Sequence, residues 1–284
     1  MQLRWGAFLV LPLIISAGLL LLSQAVFLQA SFYADLGFGR TSPTMDATNY
    51  LRVLTDSFYL GILALSIRVS ALAAAATIIL GFPIAFILSR LPSRLAFPLL
   101  ATLVMSSFVT IIIKIFGLVV IFQADGPLNR LLLWLGFVER PISLIGTVPG
   151  VVLGLFYFSA GFAVMLLYSV ARTIPTSLEE AAAIHGASRW RVIRRIILPL
   201  SLPGLVVCFL TVFNMCMGAF TSAALLGAGK VLTLPVLIQR TLLMDVKYGM
   251  AGALSALLLI SVLLINLGSV VMLERFRATR LVAA

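Results

Sequence analysis

Six stretches of this chain are long enough to cross a bilayer and nearly free of charge. Residues 5–34, 69–89, 142–171, 196–229 and 248–273 contain no Asp, Glu, Lys or Arg, and 95–124 contains only Lys114. About 20 consecutive apolar residues span the hydrocarbon layer, where every backbone polar group must be satisfied within the segment. The spacing predicts helices over roughly 6–28, 67–89, 96–122, 143–170, 201–226 and 249–273. The composition agrees: 62% of the 284 residues are hydrophobic and 10% are charged, against about 45–50% and 25% in soluble domains. A water-soluble globule and a disordered chain are both excluded. The expected fold is an all-α polytopic membrane protein with one domain over 1–284.

The first apolar run follows Arg4 as a signal peptide would. It exceeds a signal core of 7–15 residues and ends in no A-x-A site, so it reads as an uncleaved helix.

The net charge of +11 would suggest nucleic acid in a soluble protein. Here excess Lys and Arg on the cytoplasmic side accounts for it. With the N-terminus inside, the inner segments hold Arg4, Arg90, Arg94, Arg172, Arg189, Arg191, Arg194, Arg195, Arg275, Arg277 and Arg280, against only Glu179, Glu180 and Glu274. The outer segments balance Arg40, Arg52, Arg130, Arg140, Lys230, Arg240 and Lys247 against Asp35, Asp46, Asp56, Asp125, Glu139 and Asp245. Both termini are expected in the cytoplasm. Two outer connections are long: one with an interfacial helix from Asn49, the other with Gly126-Pro127 opening a short helix that Gly136 stops.

The inner loop 172–200 is unlike the others. Pro175 breaks the helix before it. Ser177 and Glu180 have the spacing of a capping box, 179–183 are good helix formers, and Gly186 supplies a left-handed stop. Ser188 is placed to cap a second helix over 189–198, which Pro199 should end. Its arginines suit phospholipid head groups. The capped acidic helix and the glycine hinge point instead to a rigid unit docking on a cytoplasmic partner.

Within that loop Glu180-Ala181-Ala182, Gly186 and Ile196-x-Leu198-Pro199 reproduce, at every position, the EAA signature of bacterial ABC-importer permeases. Gly81-Phe82-Pro83, Gly117-Leu118 and the run from Gly126 to Gly136 resemble the first permease of spermidine/putrescine-type importers. The similarity runs from about residue 50 to the end. The resemblance implies a bacterial inner-membrane importer: a second permease, forming a heterodimer, two ATPase subunits beneath, and an extracytoplasmic solute-binding protein. Glu179, Glu180, Ala181, Ala182, Ala183, His185 and Gly186 would form the coupling helix that meets an ATPase.

The chain itself carries no nucleotide cradle, since Gly227, Gly229 and Lys230 lack the remaining phosphate-loop positions. ATP and Mg belong on partner subunits, and neither cofactor nor enzymatic activity is expected of this chain. One histidine and two cysteines are too few for a metal site. Cys208 and Cys216 lie about 12 Å apart on a helix and read as packing residues.

Pathway residues are harder to place. Lys114 either snorkels to the outer head groups or lines the pathway, and Arg68 divides the same way. Asn214 and Asn266 suit a helix-to-helix hydrogen bond better than solute contact. Tyr157 and Phe220 are aromatic candidates for the pathway. Gly146, Gly150 and Gly154 form a ladder for close packing in the fourth span. Related importers often carry an acid near the outer end of span five, where this chain has Ala219. A polyamine is the solute the resemblance implies; a zwitterionic or anionic solute, such as an amino acid derivative or a phosphonate, is the rival. An ion-coupled secondary transporter would need intramembrane acids and inverted repeats, neither of which the sequence displays.

Overall fold

Helices make up more than three-quarters of the described residues, because hydrocarbon leaves a spanning backbone no other partner than itself. A computed structural model describes residues 5–282, so Arg4 lies outside the described residues. The elements run α1 (Trp5–Ala30), β1 (Tyr33–Gly37), β2 (Arg40–Met45), α2 (Thr48–Thr55), α3 (Ser57–Arg90), α4 (Ser93–Phe108), α5 (Ile111–Phe122) and α6 (Pro127–Trp134). They continue with α7 (Val148–Arg172), α8 (Ser177–Ile184), α9 (Arg189–Val192), a π-helical segment Ile193–Ile197, α10 (Leu198–Met217), α11 (Thr221–Gly227), α12 (Leu234–Leu243) and α13 (Tyr248–Val282). Six segments among the described residues are long and apolar enough to cross a membrane: Pro12–Ala30, Ser57–Arg90, Ile111–Trp134, Val148–Arg172, Arg189–Met217 and Tyr248–Val271.

The chain forms two compact units. One comprises the residues up to Leu63 together with Leu234–Leu263, and the other Ala64–Thr233 with the residues from Leu264 onward.

In the first unit, β1 and β2 form an antiparallel hairpin that the sequence reading did not expect. Its two-residue turn, Phe38-Gly39, has positive φ at both positions, 51° and 74°. That is the primed turn whose twist matches paired strands. The base of the hairpin is tied down by polar groups. The Asp35 carboxylate accepts the backbone N–H groups of Gly249 (3.0 Å) and Met250 (2.8 Å) at the start of α13. Those N–H groups have no partner within the helix, and a carboxylate there also meets the positive end of its dipole. Asn49, in α2, donates to the carbonyls of Ser31 (3.1 Å) and Tyr33 (2.8 Å). Gly249 is forced by this closeness: a Cβ there would stand 2.1 Å from the Tyr33 carbonyl oxygen.

In the second unit, Ala85 and Leu88 of α3, Val164 and Leu167 of α7, and Leu205 and Cys208 of α10 form one buried cluster. Thr77 and Ser159 hydroxyls meet at 3.1 Å between α3 and α7. Both cysteines are free and buried, as packing residues should be.

Four expectations about the helices need correction. The third span does not run unbroken over 96–122. Val109 and Thr110 are extended between α4 and α5, where a β-branched run from Val109 to Ile113 weakens the helix. The fifth span does not run to 226, because α10 stops at Met217 and Gly218 caps it before α11 begins. The glycine ladder is not one face of a span. Gly146 lies ahead of α7 with φ +78°, and a Cβ on Gly150 would strike the Leu144 carbonyl oxygen of that same connection. Only Gly154 serves helix packing, against Leu226 of α11 at 2.3 Å from its Cβ position. Finally, Pro199 does not end a helix. Proline offers no N–H and its ring crowds the carbonyl four residues back. The chain widens into the π segment Ile193–Ile197, with Leu198 N–H reaching back to Ile193 O, and continues directly into α10. Such single-turn widenings absorb this kind of mismatch.

Replacing Asp35 with alanine strands two helix N–H groups and should destabilise the first unit by about 1–3 kcal/mol. Thermal unfolding of the detergent-purified protein measures this. Asp35→Asn, which keeps an acceptor, should lose less. An unchanged melting temperature for Asp35→Ala would show that the carboxylate is not a structural tie.

Candidate functional site

The loop between α7 and α10 is a built structure and not a tether. Ile174, Val192 and Ile197 form its own buried cluster, packed against Phe82 and Phe86 of α3 and Ala182 and Ala187 of the loop itself. This small core fixes α8, none of whose residues is buried.

The start of α8 differs from the expected capping box. Ser177 is the first helical residue, the preceding Thr176 is itself helical (φ −65°, ψ −26°), and no side chain caps the helix. The Thr176 carbonyl accepts from the N–H groups of Glu179 (2.9 Å) and Glu180 (3.1 Å) instead. Nor does the Ser188 side chain cap α9. The end of α8 is as expected. Gly186 has φ +72°, its N–H donates to Ala183 O (2.9 Å), and the Ala187 N–H donates to Ala182 O (3.0 Å). This pair of bonds is the Schellman ending, which favours glycine at the left-handed position.

The two glutamates divide in role. Glu179 faces inward and meets Arg90, the last residue of α3. Arg90 Nε donates to Glu179 Oε1 at 2.7 Å, and Nη2 lies 2.6 Å from the same oxygen. The rest of the guanidinium fork reaches the end of α7, with Nη1 donating to Ala171 O (3.4 Å) and Nη2 to Ile174 O (3.2 Å). Phe86 lies under the guanidinium carbon at 5.0 Å. A cation at a helix C-terminus is favoured by the dipole and satisfies carbonyls that have no helical partner. Arg90 therefore joins three elements: the end of α3, the end of α7 and the first turn of α8. Sequence reasoning missed it, since 89 residues separate it from Glu179.

Glu180 is exposed, with Ala181 and Ala183 on the same accessible surface. Ile184 is 85% exposed at the end of the same helix. His185 is exposed, its Nδ1 2.8 Å from Ala181 O.

The pathway residues fall in separate places. Lys114 of α5 is nine-tenths buried, and its Nζ lies 5.8 Å from the Tyr157 ring centroid of α7. This is a cation–π contact between neighbouring helices. Arg68 is exposed. Asn214 of α10 and Asn266 of α13 exchange two amide hydrogen bonds, each 3.0 Å, as the helix-to-helix reading expects. Phe220 sits at the break between α10 and α11, partly exposed. Two residues beyond it, the buried Ser222 hydroxyl has no hydrogen-bond partner among the described residues. Among those residues no group of three or more His, Cys, Asp or Glu is placed to hold a metal.

Comparison with known proteins gives a consistent result. The chain is 33% identical over 233 residues to the spermidine/putrescine transport system permease protein PotB of Escherichia coli K12, covering 81% of this chain and 84% of that one. The corresponding protein of Haemophilus influenzae is 31% identical over 236 residues, covering 83% and 82%. Among solved structures, a bacterial ABC transporter that imports the acidic polysaccharide alginate superposes with a TM-score of 0.78 over 95% of both chains, at 20% identity, which speaks for the fold alone. Residues 77–278 match the family described as binding-protein-dependent transport system inner membrane component. This chain belongs to that family: it is an inner-membrane permease subunit of an ABC importer.

Proposed function

We propose that the chain forms, with a second and different permease subunit, the membrane pathway of an ATP-driven importer for small polyamines. An extracytoplasmic binding protein delivers the solute. Two ATPase subunits, carrying ATP and Mg, dock on the cytoplasmic side, where both termini also lie. The identity to spermidine/putrescine permeases over four-fifths of the chain supports the solute class.

The observation that carries the coupling role is α8 itself. One face of it is exposed, while it is tied by the Arg90 fork at its start and ended by the left-handed Gly186. A lever needs both properties. An exposed face can seat in an ATPase groove, and a stiff root passes the resulting movement to α3 and α7. Glu180, Ala181, Ala183, Ile184 and His185 form the seat, while Glu179 and Gly186 set its angle.

A second solute reading rests on Lys114. It places a fixed cation within α5, which holds no carboxylate of its own; Asp125 follows beyond the end of that helix. A positive charge there favours an anionic or zwitterionic solute over a polycation. Calorimetry on the partner binding protein decides between the two. Spermidine or putrescine should bind; affinity for amino acids or phosphonates with none for polyamines would overturn the solute class and leave the importer reading intact.

Orientation is tested by labelling single cysteines. Cys208 and Cys216 are buried and should stay silent. Arg130→Cys should react from the outside and Arg189→Cys only from the cytoplasm; both residues are exposed. Reaction of Arg130→Cys from the cytoplasm would invert the map.

Coupling is tested at root and tip. Gly186→Val forces a β-branched side chain into a left-handed conformation at about 1–2 kcal/mol or more, although no neighbour lies within 4 Å of its Cβ position. Arg90→Ala removes the Glu179 ion pair and the two carbonyl bonds at one partly exposed junction outside the apolar cores of the spans. Neither loss unfolds a bundle of spans. Both variants should reach the membrane at normal levels and lose uptake, with weaker co-purification of the ATPase subunits. Glu180→Lys removes no cap and sets a cation in the first turn at a cost of about 0.3–1 kcal/mol, so a loss of ATPase binding beyond that small effect reports the partner contact. Wild-type uptake and assembly in all three variants would end the coupling assignment.

A further inference from the structure

Four arginines follow α8 with no acid between residues 181 and 200: Arg189, Arg191, Arg194 and Arg195. In the structure Arg191, Arg194 and Arg195 line a single open cleft of about 240 Å³ together with Ser188 and Trp190. Spacings of three and four residues place 191, 194 and 195 on one side of a helix, and the π segment that accommodates Pro199 holds the last two there. Glu179, the nearest inward-facing acid of the loop, is engaged by Arg90. None of the three cleft arginines forms an ion pair among the described residues. Like charges held together without a counter-ion repel one another, so the cleft is arranged for an anion.

Its position identifies which anion. The arginines stand at the mouth of the spanning helix Arg189–Met217. Leu198 begins only three residues after Arg195, about 4.5 Å along the axis, and Leu198, Leu200 and Leu202 are all exposed in the isolated chain. The apolar surface therefore starts within one turn of the cations. Trp190, 70% exposed, adds the amphipathic ring that favours the membrane–water boundary. A ligand that fits has a phosphate head for the guanidinium groups and acyl chains for the leucines. A guanidinium binds phosphate through paired N–H bonds. An acidic protein surface suits the cleft less well, because α8 beside it presents Glu180 to solvent.

We infer that this cleft is a binding site for the phosphate head group of an anionic phospholipid, distinct from the ATPase-facing surface of α8. The lipid anchors the root of the fifth span at the membrane surface. It also neutralises the arginine cluster, so that α8 alone is left to meet a protein.

Native mass spectrometry of the full-length protein in a neutral detergent tests this. Phosphatidylglycerol should be retained at least about tenfold better than phosphatidylcholine, as expected for several basic groups at a surface. Arg191→Gln/Arg194→Gln/Arg195→Gln should bring retention down to the phosphatidylcholine level without stripping co-purified ATPase subunits. On the wild-type protein, about 0.5 M salt should remove most of the preference, because screening shortens at that strength. Equal retention of the two lipids, or a preference that survives both the salt and the triple substitution, overturns the inference. Full competition by millimolar inorganic phosphate would make the cleft a free-anion site and overturn the lipid assignment. Loss of ATPase subunits with lipid retention unchanged would make it a protein contact.

Discussion

A single guanidinium determines how the second unit meets the aqueous side. Arg90 closes α3, donates to the carbonyls of Ala171 in the last turn of α7 and Ile174 just beyond it, and donates to one carboxylate oxygen in the first turn of α8. Arginine suits this junction because its donors form a rigid planar fork that reaches acceptors on different elements at once. Lysine carries the same charge as a single point and leaves two of the three elements unattached. Phe86 lies under one face of the guanidinium, and the small core of Ile174, Val192 and Ile197 packs against the same aromatic side chain. The site is only partly buried, so neither ion bears the full desolvation cost that makes deep salt bridges unprofitable.

The first unit solves a related problem with the opposite charge. α13 begins at Tyr248, and its first N–H groups require acceptors. Asp35 provides them from a hairpin more than 200 residues earlier in the chain. Each unit therefore has a helix end closed by one ion from a distant segment. In both cases the charge matches the sign of the dipole, a cation at a C-terminus and an anion at an N-terminus. These ions lie outside the apolar cores of the spans, where such contacts cost little desolvation.

Much of the fold was legible because the rules that set it are local. Charge-free runs marked the six spans, the short helix from Pro127 and the interfacial helix near Asn49 followed from turn chemistry, and Gly186 declared its left-handed ending. The EAA positions fall within α8 and its Gly186 ending. The failures share a different cause. The breaks at Val109 and Gly218 lie inside long apolar runs, so a search for spans by hydropathy passes over them. Pro199 reads as a stop, and only the π widening shows how a helix passes it. The Phe38-Gly39 turn lacks the Asn-Gly signal of a primed hairpin. Ser177 and Glu180 had the right spacing for a capping box, but Thr176 itself takes helical geometry, which makes Ser177 a helical residue and leaves no side-chain cap. Arg90 was invisible for a simpler reason, since a contact across 89 residues leaves no local pattern.

The division of charge within the loop carries the argument one step further. Between Pro175 and Pro199 the chain sorts its ions by position: the acids stand in the first turn of α8, the arginines gather where the apolar surface begins. A negative residue in a first turn and a positive residue at a lipid boundary are each favourable alone. Exchanging them would place carboxylates against anionic lipid and cations at the positive end of α8, so the order has one favourable sense. The left-handed Gly186 stands between the two groups and sets the angle from one to the other. A residue that fixes this angle acts on both sides of it, which is why the backbone at Gly186, with nothing pressing on its Cβ position, is as constrained as any buried position in the spans.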